Sequence, residues 1–486
     1  MIRWGTSFGS HDAALAVFHD DSLVFASHSE RFSGIKDDPM ICQELVDRAL
    51  EFGKPSIVVH HENTIMKRAR CAISGQWSDV FSPFPSTVIS SLGVSAHVMH
   101  SDHHRSHAAA GYFTSGLRDA SIVVMDAIGE IETMSIWKAE GTTMTRVYSE
   151  RYPHSMGLLY SALVKEAGFK PNGEEYIFMG LAAHGNPSRW SEIGEATMRL
   201  LDGPGFRLHH NPHRGFGGIF RDLMPAEDIA ACGQEIYQKV LHHVLDWTWK
   251  NLPSKNLVLM GGCALNCVAN SLIPRWHDWN RIWIMPNPGD AGSSVGAVLS
   301  VMSTHINWPG AYLGHEIPGE YPTREALSLL ISNGIVAVAN GRAEFGPRAL
   351  GNRSIFADPR IANIKQRMNW LKQREQFRPF AAVIPEELAS SYFEMGRTRS
   401  SPYMQMVFKC RYPLSFPGIV HVDGTSRIQT VNRKQHAGLY DLLCAFREIT
   451  GCPMLINTSL NIKNRPLVNS KDDAKEFSSK YGITVL

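Results

Sequence analysis

The chain has 486 residues, a formal net charge of +2, 44% hydrophobic residues and 19% charged residues. At about 150 residues per domain, this length suits roughly three domains or two large ones. The ordinary composition excludes a mainly disordered, collagen-like or coiled-coil architecture. Apolar runs stay well short of the ~20 residues that cross a bilayer, and the first residues lack the pattern of a signal peptide.

Cysteine and histidine usage gives two further expectations. Eight cysteines in so long a chain predict reduced thiols and a cytoplasmic location rather than a disulfide scaffold. The 22 histidines are an unusual number, and they direct attention to clusters of imidazoles.

A strand, a polar turn and a second strand occur twice in the N-terminal half. Apolar residues at 13–18 and 23–26 flank a polar turn, and those at 121–125 and 133–137 flank an acidic turn. This repetition predicts a duplicated α/β fold, the construction found in actin-like phosphotransferases.

The remaining elements follow from apolar spacing and from glycine and proline. The pattern predicts helices at 157–167, 235–249 and 323–333, and buried strands at 257–260, 281–285, 334–339 and 453–459. A loop at 203–218 carries three histidines, His209, His210 and His213, and prolines and glycines at 305–322 indicate a domain border.

The sharpest motif is the histidine-rich segment 102–107. On a helix, His103 and His107 are four residues apart and face the same way, which suits a divalent metal. Asp126 and Asp290 each follow a predicted buried strand, where ligands collect in open α/β sheets. Together the four residues form a mixed nitrogen and oxygen set suited to iron, manganese or zinc. The alternatives are a histidine-rich helix start at the surface and aspartates that only cap helices or turns.

Three glycine loops, at 5–9, 261–266 and 290–294, each follow a strand-like run. Glycine lets backbone N–H groups approach phosphate oxygens, and a following helix adds its positive end. Tight turns also need glycine, but three such loops in one chain favour a bound nucleotide.

The stretch 342–378 has nine Lys or Arg residues against three acids. Arg348, Lys372, Arg374 and Arg378 stand among glycines, prolines and aromatic residues, which indicates partial burial. Buried cations need anions, and arginine matches phosphate or carboxylate well. We therefore predict a small phosphorylated ligand here, the alternatives being a solvated helix face or a nucleic-acid patch.

In this order, the segments resemble the O-carbamoyltransferase family of the nodulation and cephamycin type (NodU/CmcH). The matching motifs run through nearly the whole chain: His11-Asp12-Ala13, 102–107, Glu175-Tyr176 with 179–182, 261–266, 289–292, 344–354, 372–380, 423–427 and Asn457-Thr458-Ser459. So many ordered motifs are far more specific than any one of them.

The resemblance implies an α/β protein of two catalytic domains. Residues 1–315 would form a duplicated actin-like ATPase fold, as in tRNA threonylcarbamoyl transferases. Residues 316–486 would form a carbamoyl-adenylate-forming, YrdC-like α/β domain. The second domain would make carbamoyl-adenylate from carbamoyl phosphate and ATP, and the first would move the carbamoyl group to a substrate hydroxyl, releasing AMP.

Roles follow from the resemblance residue by residue. His103, His107, Asp126 and Asp290 would hold the metal, with iron expected ahead of manganese or zinc and Mg²⁺ accompanying ATP. His11 would be the general base for the acceptor hydroxyl, since imidazole titrates nearest neutral pH. The carbamoyl phosphate or the adenylate would be bound by Arg348, Lys372, Arg378, Arg427 and Ser459. Of these, Lys372 and Arg378 would also be catalytic. The nucleotide in the transfer site would be bound by Gly261, Gly262 and Asn266.

The chain departs from the family pattern in places, without losing a proposed metal ligand or phosphate cation. Ala183-His184 stands where Pro-Tyr is usual, and Ala382 replaces a customary proline. Leu460 replaces a phenylalanine. Asn464-Arg465 replaces Gly-Glu, which puts a cation where the family has an acid near the adenylate.

The acceptor and two other functions stay open at this point. The hydroxyl could belong to a natural product, a sugar or a hydroxymethylated nucleotide, and a homodimer is an open question. Threonylcarbamoyl transfer to tRNA adenosine would reuse both folds, although an RNA substrate predicts wider basic surfaces than a net charge of +2 indicates. A non-enzymatic nucleotide- and metal-binding regulator would not need both the metal motif and the anion motif. No membrane partner is expected.

Overall fold

A computed structural model describes the backbone of residues 1–486 and all side chains except those of residues 78 and 79. The chain divides into two compact units. Unit 1 contains residues 1–29 and 38–309, and unit 2 contains residues 30–37 and 310–486. The division after residue 309 lies near the predicted border after residue 315, and the short segment 30–37 belongs to unit 2.

Unit 1 is built from strands and helices whose bounds are as follows. The strands are β1 Ile2–Ser7, β2 Ala14–His19, β3 Ser22–His28, β4 Ile57–His60, β5 His97–His100, β6 Asp119–Gly129, β7 Glu132–Glu140, β8 Thr143–Arg151, β9 Met198–Leu200, β10 Phe206–Leu208, β11 Asn256–Met260 and β12 Arg281–Trp283. The helices are α2 Gln43–Leu50, α3 Thr64–Ser74, α4 Trp77–Val80, α5 Pro85–Ser91, α6 His103–Thr114, α7 Met156–Glu166, α8 Glu175–Leu181, α9 Trp190–Thr197, α10 Ile219–Leu223, α11 Ala226–Asn251, α12 Cys267–Asn270, α13 Ile273–Trp276 and α14 Ser293–Met302.

The two main sheets of unit 1 have the same topology. The first has the order β3-β2-β1-β4-β5 and the second the order β8-β7-β6-β11-β12. In the first, β1 is antiparallel to β2 and parallel to β4. In the second, β6 is antiparallel to β7 and parallel to β11. This repetition confirms the duplicated α/β fold predicted from the two strand–turn–strand patterns.

Helices α6 and α14 pack closely against each other and carry the site residues of unit 1. A Cβ added at Gly296 of α14 would lie 1.8 Å from the carbonyl oxygen of Ser106 in α6. Helix α14 also lies against β1, because a Cβ at Gly5 would come within 1.8 Å of Ser294 O. The predicted phosphate loop at residues 5–9 is therefore wrong for its first residues. They form strand β1, where glycine serves the close approach of a helix.

Unit 2 is a mixed α/β unit. Its strands are β13 Tyr312–Ile317, β14 Ile335–Ala339, β15 Gly341–Glu344, β16 Arg353–Ala357, β17 Ala381–Pro385, β18 Val407–Lys409, β19 Thr425–Val431 and β20 Leu455–Ser459. Its helices are α1 Glu30–Ser33, α15 Thr323–Asn333, α16 Ile364–Leu371, α17 Ala389–Tyr392, α18 Ala437–Thr450 and α19 Lys471–Tyr481. The main sheet has the order β14-β16-β20-β17-β19-β18, in which only the β17–β19 pair is parallel.

Two further expectations can be compared with the structure. The eight cysteines are all free thiols. Within the part of the chain that is described, no helix has the length and apolar character needed to span a bilayer.

Candidate active site

The four predicted metal ligands come together in unit 1. Helix α6 begins at His103 and places His107 one turn further on, while β6 supplies Asp126 and the short turn before α14 supplies Asp290. The two Nε2 atoms are 3.1 Å apart. They lie 3.1 and 3.2 Å from Asp126 Oδ2, and 3.4 and 3.3 Å from Asp290 Oδ1. We call these four residues the metal quartet.

The metal quartet has the spacing and charge of a divalent cation site. Ligand bonds of about 2.0–2.2 Å place neighbouring ligand atoms about 3.0–3.5 Å apart, which is the spacing observed. All four residues are buried. With a divalent metal bound, the two imidazoles would be neutral ligands and the two carboxylates would balance its charge, and the mixed donors suit iron, manganese or zinc.

The electrostatics of the quartet follow from this crowding. Burial lowers the pKa of His103, but Asp290 and the hydrogen bonds to both carboxylates outweigh burial and hold that pKa well above its usual value. Burial and the charge of Asp290 oppose ionisation of Asp126, whose pKa is nevertheless lowered by hydrogen bonds from both histidines. Both aspartates are therefore ionised and available as ligands.

Two residues that were not predicted as site residues orient the metal quartet. The Oγ of Ser293 lies 3.0 Å from Nδ1 of His107, which leaves Nε2 of that ring to face the other ligands. Glu130 accepts hydrogen bonds from the backbone N–H of Asn63 and, at 3.4 Å, from that of His103 at the start of α6. Ser293 stands in a predicted glycine loop, whereas nothing in the sequence pattern distinguished Glu130.

His11, the predicted general base, lies beside the quartet. Its Nε2 is 3.9 Å from Asp290 Oδ2 and its Nδ1 is 3.2 Å from Asp12 Oδ2, and half of the side chain is exposed. Burial lowers the pKa of His11, but Asp12 and Asp290 raise it to about 10. The imidazole is thus a cation as long as the neighbouring carboxylates are uncompensated.

The glycine loop 261–266 is joined directly to the quartet. The N–H of Gly262 donates to Asp126 Oδ1 at 3.3 Å, so this aspartate contacts the loop with one oxygen and the histidines with the other. Gly261 has φ +89°, and a Cβ there would lie 2.1 Å from Met125 O, so only glycine fits.

Asn266 closes this loop and is held from helix α11. Its Oδ1 caps α12 by accepting from the N–H of Ala269 at 3.0 Å. Its amide also pairs reciprocally with that of Gln234 at 3.0 and 3.1 Å. The structure therefore gives Asn266 a role in shaping the loop, and Gln234 is a supporting residue that sequence reasoning missed.

In unit 2, Lys372 is buried among neutral oxygens. Its Nζ lies 2.5 Å from Ser459 O, 3.3 Å from Ser459 Oγ and 2.7 and 3.0 Å from Asn461 O and Oδ1. Burial first, and then the charges of Arg374 and Arg378, lower the pKa of Lys372 well below its usual value. Lys372 and Ser459, both predicted anion ligands, are thus in contact, and the charge of Arg378 acts on Lys372.

The loop that carries Arg348 is fixed to the strands that carry Arg427 and Ser459. Asn457 of β20 donates to Ala349 O at 3.2 Å. Gln429 of β19 donates to Leu350 O at 2.8 Å. The structure therefore brings the loop of Arg348 to the strands of two other predicted anion ligands.

Buried Glu344 shapes this loop from within. Its Oε1 accepts the N–H groups of Leu350 and Asn352 at 2.7 and 2.9 Å. Glu344 lay inside a matched motif, but it had no assigned role.

The other cations of the basic stretch have protein partners. Arg378 lies 3.5 Å from Glu375, three residues earlier in the chain. Arg374 donates to Asn369 Oδ1 at 2.7 Å and lies over the ring of Phe380 at 4.3 Å. Arg374 is therefore a structural residue of this stretch.

Comparison with known proteins gives matches over both units. The family model described as the N-terminus of carbamoyltransferases matches residues 91–299, and that of the C-terminus matches residues 327–486. The chain is 31% identical to an uncharacterized protein of Synechocystis sp., over 97% of this chain and 93% of that protein. It is 33% identical to nodulation protein NolO of Bradyrhizobium diazoefficiens, over 77% of this chain and 75% of that protein. It is 28% identical to 3'-hydroxymethylcephem-O-carbamoyltransferase of Amycolatopsis lactamdurans, over 98% of this chain and 96% of that enzyme.

Proposed function

The chain belongs to the carbamoyltransferase family and is a transferase, and we propose that it is an ATP-dependent O-carbamoyltransferase. In this proposal unit 2 makes carbamoyl-adenylate, and unit 1 transfers the carbamoyl group to a hydroxyl. The observation that carries the proposal is the similarity to a cephem O-carbamoyltransferase over nearly the full length of both chains. The two buried charge clusters support it, since each suits one half of this chemistry.

The first half of the reaction joins carbamate to AMP. Carbamoyl phosphate loses its phosphate, and an oxygen of the resulting carbamate attacks the α-phosphorus of ATP while pyrophosphate leaves. Carbamoyl phosphate, ATP and water thus give carbamoyl-adenylate, phosphate and pyrophosphate. Lys372, Arg348, Arg378 and Arg427 would bind the phosphate oxygens, because buried cations beside a developing negative charge stabilise it strongly.

The second half transfers the carbamoyl group. The acceptor hydroxyl oxygen attacks the carbamoyl carbon, the bond to AMP breaks, and the hydroxyl proton goes to a base. A divalent metal held by the quartet would supply positive charge for the phosphate of the adenylate. Asp12 and Asp290 both raise the pKa of His11; a metal held by Asp290 would remove the second of these contributions, which would favour His11 as the acceptor of the proton.

The acceptor is proposed at the level of chemical class. A hydroxyl of a natural product, a sugar or a hydroxymethylated nucleotide fits the reaction. Gly262 links the loop of the proposed nucleotide to metal ligand Asp126, so adenylate and metal would be positioned together. The acceptor oxygen would then need to reach the side of the quartet where His11 is half exposed.

The test uses the full chain, supplied with Fe²⁺, Mg²⁺, ATP and carbamoyl phosphate. We expect pyrophosphate release that depends on carbamoyl phosphate. Addition of a small-molecule extract from the source cells should give a product heavier by one carbamoyl group, detected by mass spectrometry. Absence of pyrophosphate release under these conditions, with and without extract, would overturn the proposal.

A further inference from the structure

A short segment of the N-terminal half, Glu30–Asp37, contributes a buried arginine to unit 2. The side chain of Arg31, at the start of this segment, is only 3% exposed. Its Nη2 donates to Gly346 O at 3.0 Å. Gly346 lies two residues before Arg348, in the loop that β19 and β20 hold in place. Arg31 thus reaches the loop of a proposed phosphate ligand.

Most donors of this guanidinium are not used by the protein. Arginine has five N–H groups, yet among the described side chains and backbone atoms Nε and Nη1 of Arg31 have no hydrogen-bond partner. The nearest carboxylate oxygen, Glu30 Oε1, lies 3.5 Å from Nε. The other oxygen of Glu30 accepts from Lys36 at 2.7 Å and from the N–H of Asp37 at 3.0 Å. Buried donors left in this way cost free energy.

Arg353 shows how unit 2 satisfies a buried guanidinium that has only a structural role. Arg353 is fully buried and donates to five backbone carbonyls. These belong to His315, Asn340, Gly341, Asn352 and Asn469, at 2.8–3.3 Å. Both arginines belong to unit 2 and both are buried, but of the two only Arg31 has N–H groups without a hydrogen-bond partner among the described residues. The difference indicates that Arg31 has a ligand that the protein itself does not provide.

We propose that Arg31 binds phosphate oxygens of the phosphorylated substrate in unit 2, as an additional anion ligand beside Arg348. The inference rests on the proposed function for the identity of that substrate. A phosphate dianion would accept from the unpartnered N–H groups, while the bond to Gly346 O keeps the guanidinium in place. Carbamoyl phosphate and ATP share this chemistry, and the kinetics below distinguish them.

The experiment measures pyrophosphate release by the full chain as a function of each substrate. We expect Arg31→Met to raise KM about tenfold or more for one phosphorylated substrate, with less than about a threefold change in kcat, because a hydrogen bond to a charged group contributes on this scale. Arg31→Lys keeps the charge and should recover part of the affinity. Arg433→Met is the matched control, since Arg433 is 69% exposed and pairs with Asp441 at 3.1 Å.

The substrate whose KM rises is the one whose phosphate contacts Arg31. A rise for carbamoyl phosphate alone assigns Arg31 to that substrate, and a rise for ATP alone assigns it to the nucleotide. If both KM values of folded Arg31→Met stay within about twofold of the unchanged chain, Arg31 is only structural and the inference is wrong.

Further variants and a binding assay test the inference if Arg31→Met does not fold or if the unchanged chain is inactive. If Arg31→Met does not fold, Arg31→Gln and Arg31→Lys replace it, judged by circular dichroism and by the same KM comparison. If the unchanged chain releases no pyrophosphate, the proposed function fails, and calorimetric titration with inorganic phosphate then tests Arg31 alone. An affinity at least about tenfold weaker in the Arg31 variant supports the inference, and equal affinities overturn it.

Discussion

Each unit buries a cluster of ionisable groups, and the two clusters suit ligands of opposite charge. In unit 1, the carboxylates of Asp126 and Asp290 face two imidazoles. In unit 2, Lys372 is surrounded by neutral oxygens. Raised histidine pKa values offset the carboxylates in unit 1, and burial lowers the pKa of Lys372 in unit 2. A metal ion in unit 1 and an anion in unit 2 would each supply the opposite charge that a buried ionised group requires.

The two clusters differ in how the chain assembles them. The metal quartet comes from one turn of helix α6, from strand β6 and from the short turn before α14. The anion ligands come from a loop, a helix end and two strands, and Lys372 reaches Ser459 across 87 residues of sequence. A single turn of helix α6 thus supplies half of the metal ligands, whereas each proposed phosphate donor comes from a separate element.

The largest expected effect comes from removing one ligand of the quartet. Asp290→Asn should lower the amount of bound metal, because it removes a carboxylate ligand and its charge. It should also reduce the rate of carbamoyl transfer by at least about a thousandfold. Pyrophosphate release should stay within a few-fold if unit 2 works separately. Metal analysis and product mass spectrometry measure the two effects.

Asp246→Asn is the matched control for this prediction. Asp246 forms an ion pair with Lys250 on the surface of α11, and this pair includes no residue of the quartet. An Asp290→Asn protein that keeps both metal and transfer would contradict the metal assignment.

The converse change is Lys372→Met, which removes the central cation of unit 2. Pyrophosphate release should fall about a hundredfold or more, as is typical when a preorganised donor to a developing negative charge is lost. Metal content should not change. Lys365→Met in helix α16 is the control, because Lys365 is a half-buried lysine that donates to a backbone carbonyl, Val420 O, at 2.7 Å. Similar rates for the two variants would show that Lys372 is not an anion ligand.

The sequence revealed the quartet more fully than the anion cluster, because local patterns marked each of its ligands. His103 and His107 share a helix face by their spacing alone, and strand ends located Asp126 and Asp290. A role for Arg31 in unit 2 could not be predicted from the sequence, because no local pattern indicates that residues 30–37 belong to that unit. The strand patterns likewise predicted the duplication of unit 1, because each pattern lies within about twenty residues of chain.

Supporting residues were the least predictable part. Gln234 is one of several polar residues on helix α11, and only the packed structure shows its amide against Asn266. Gly5 was misread for a related reason, because a glycine needed for helix contact has the same sequence appearance as one in a phosphate loop. In both cases the deciding partner lies far away in the chain.

Arg353→Met sharpens the distinction between structural and ligand-binding cations. It would leave five backbone carbonyls without their donor, so we expect the free energy of unfolding to fall by about 3 kcal/mol or more. Thermal or urea denaturation of the full chain measures the loss. Arg433→Met is the control, because Arg433 forms an exposed ion pair with Asp441 at 3.1 Å and its loss should cost about 1 kcal/mol or less. Equal losses would mean that the buried carbonyls find other partners.

The smallest expected effect concerns protonation beside the Arg348 loop. His436 accepts from the N–H of Leu439 with Nδ1, at the start of α18, so its Nε2 carries the proton and donates to Asn352 Oδ1 at 2.7 Å. Burial lowers the pKa of His436 from 6.5 to about 4. The unfolded chain therefore binds a proton more readily than the folded chain below pH 6.5, and stability is lost as the pH falls toward 4.

Between pH 6.5 and pH 5 this histidine should cost about 2 kcal/mol of unfolding free energy, at 1.36 kcal/mol per pH unit. In His436→Asn the side chain still caps the helix but cannot titrate, so the loss over that interval should shrink by the same amount. An unaltered slope in His436→Asn would show that protonation elsewhere governs the acid sensitivity. A reduced slope would show that the Arg348 loop depends on a neutral imidazole, in contrast to the charged groups of both clusters.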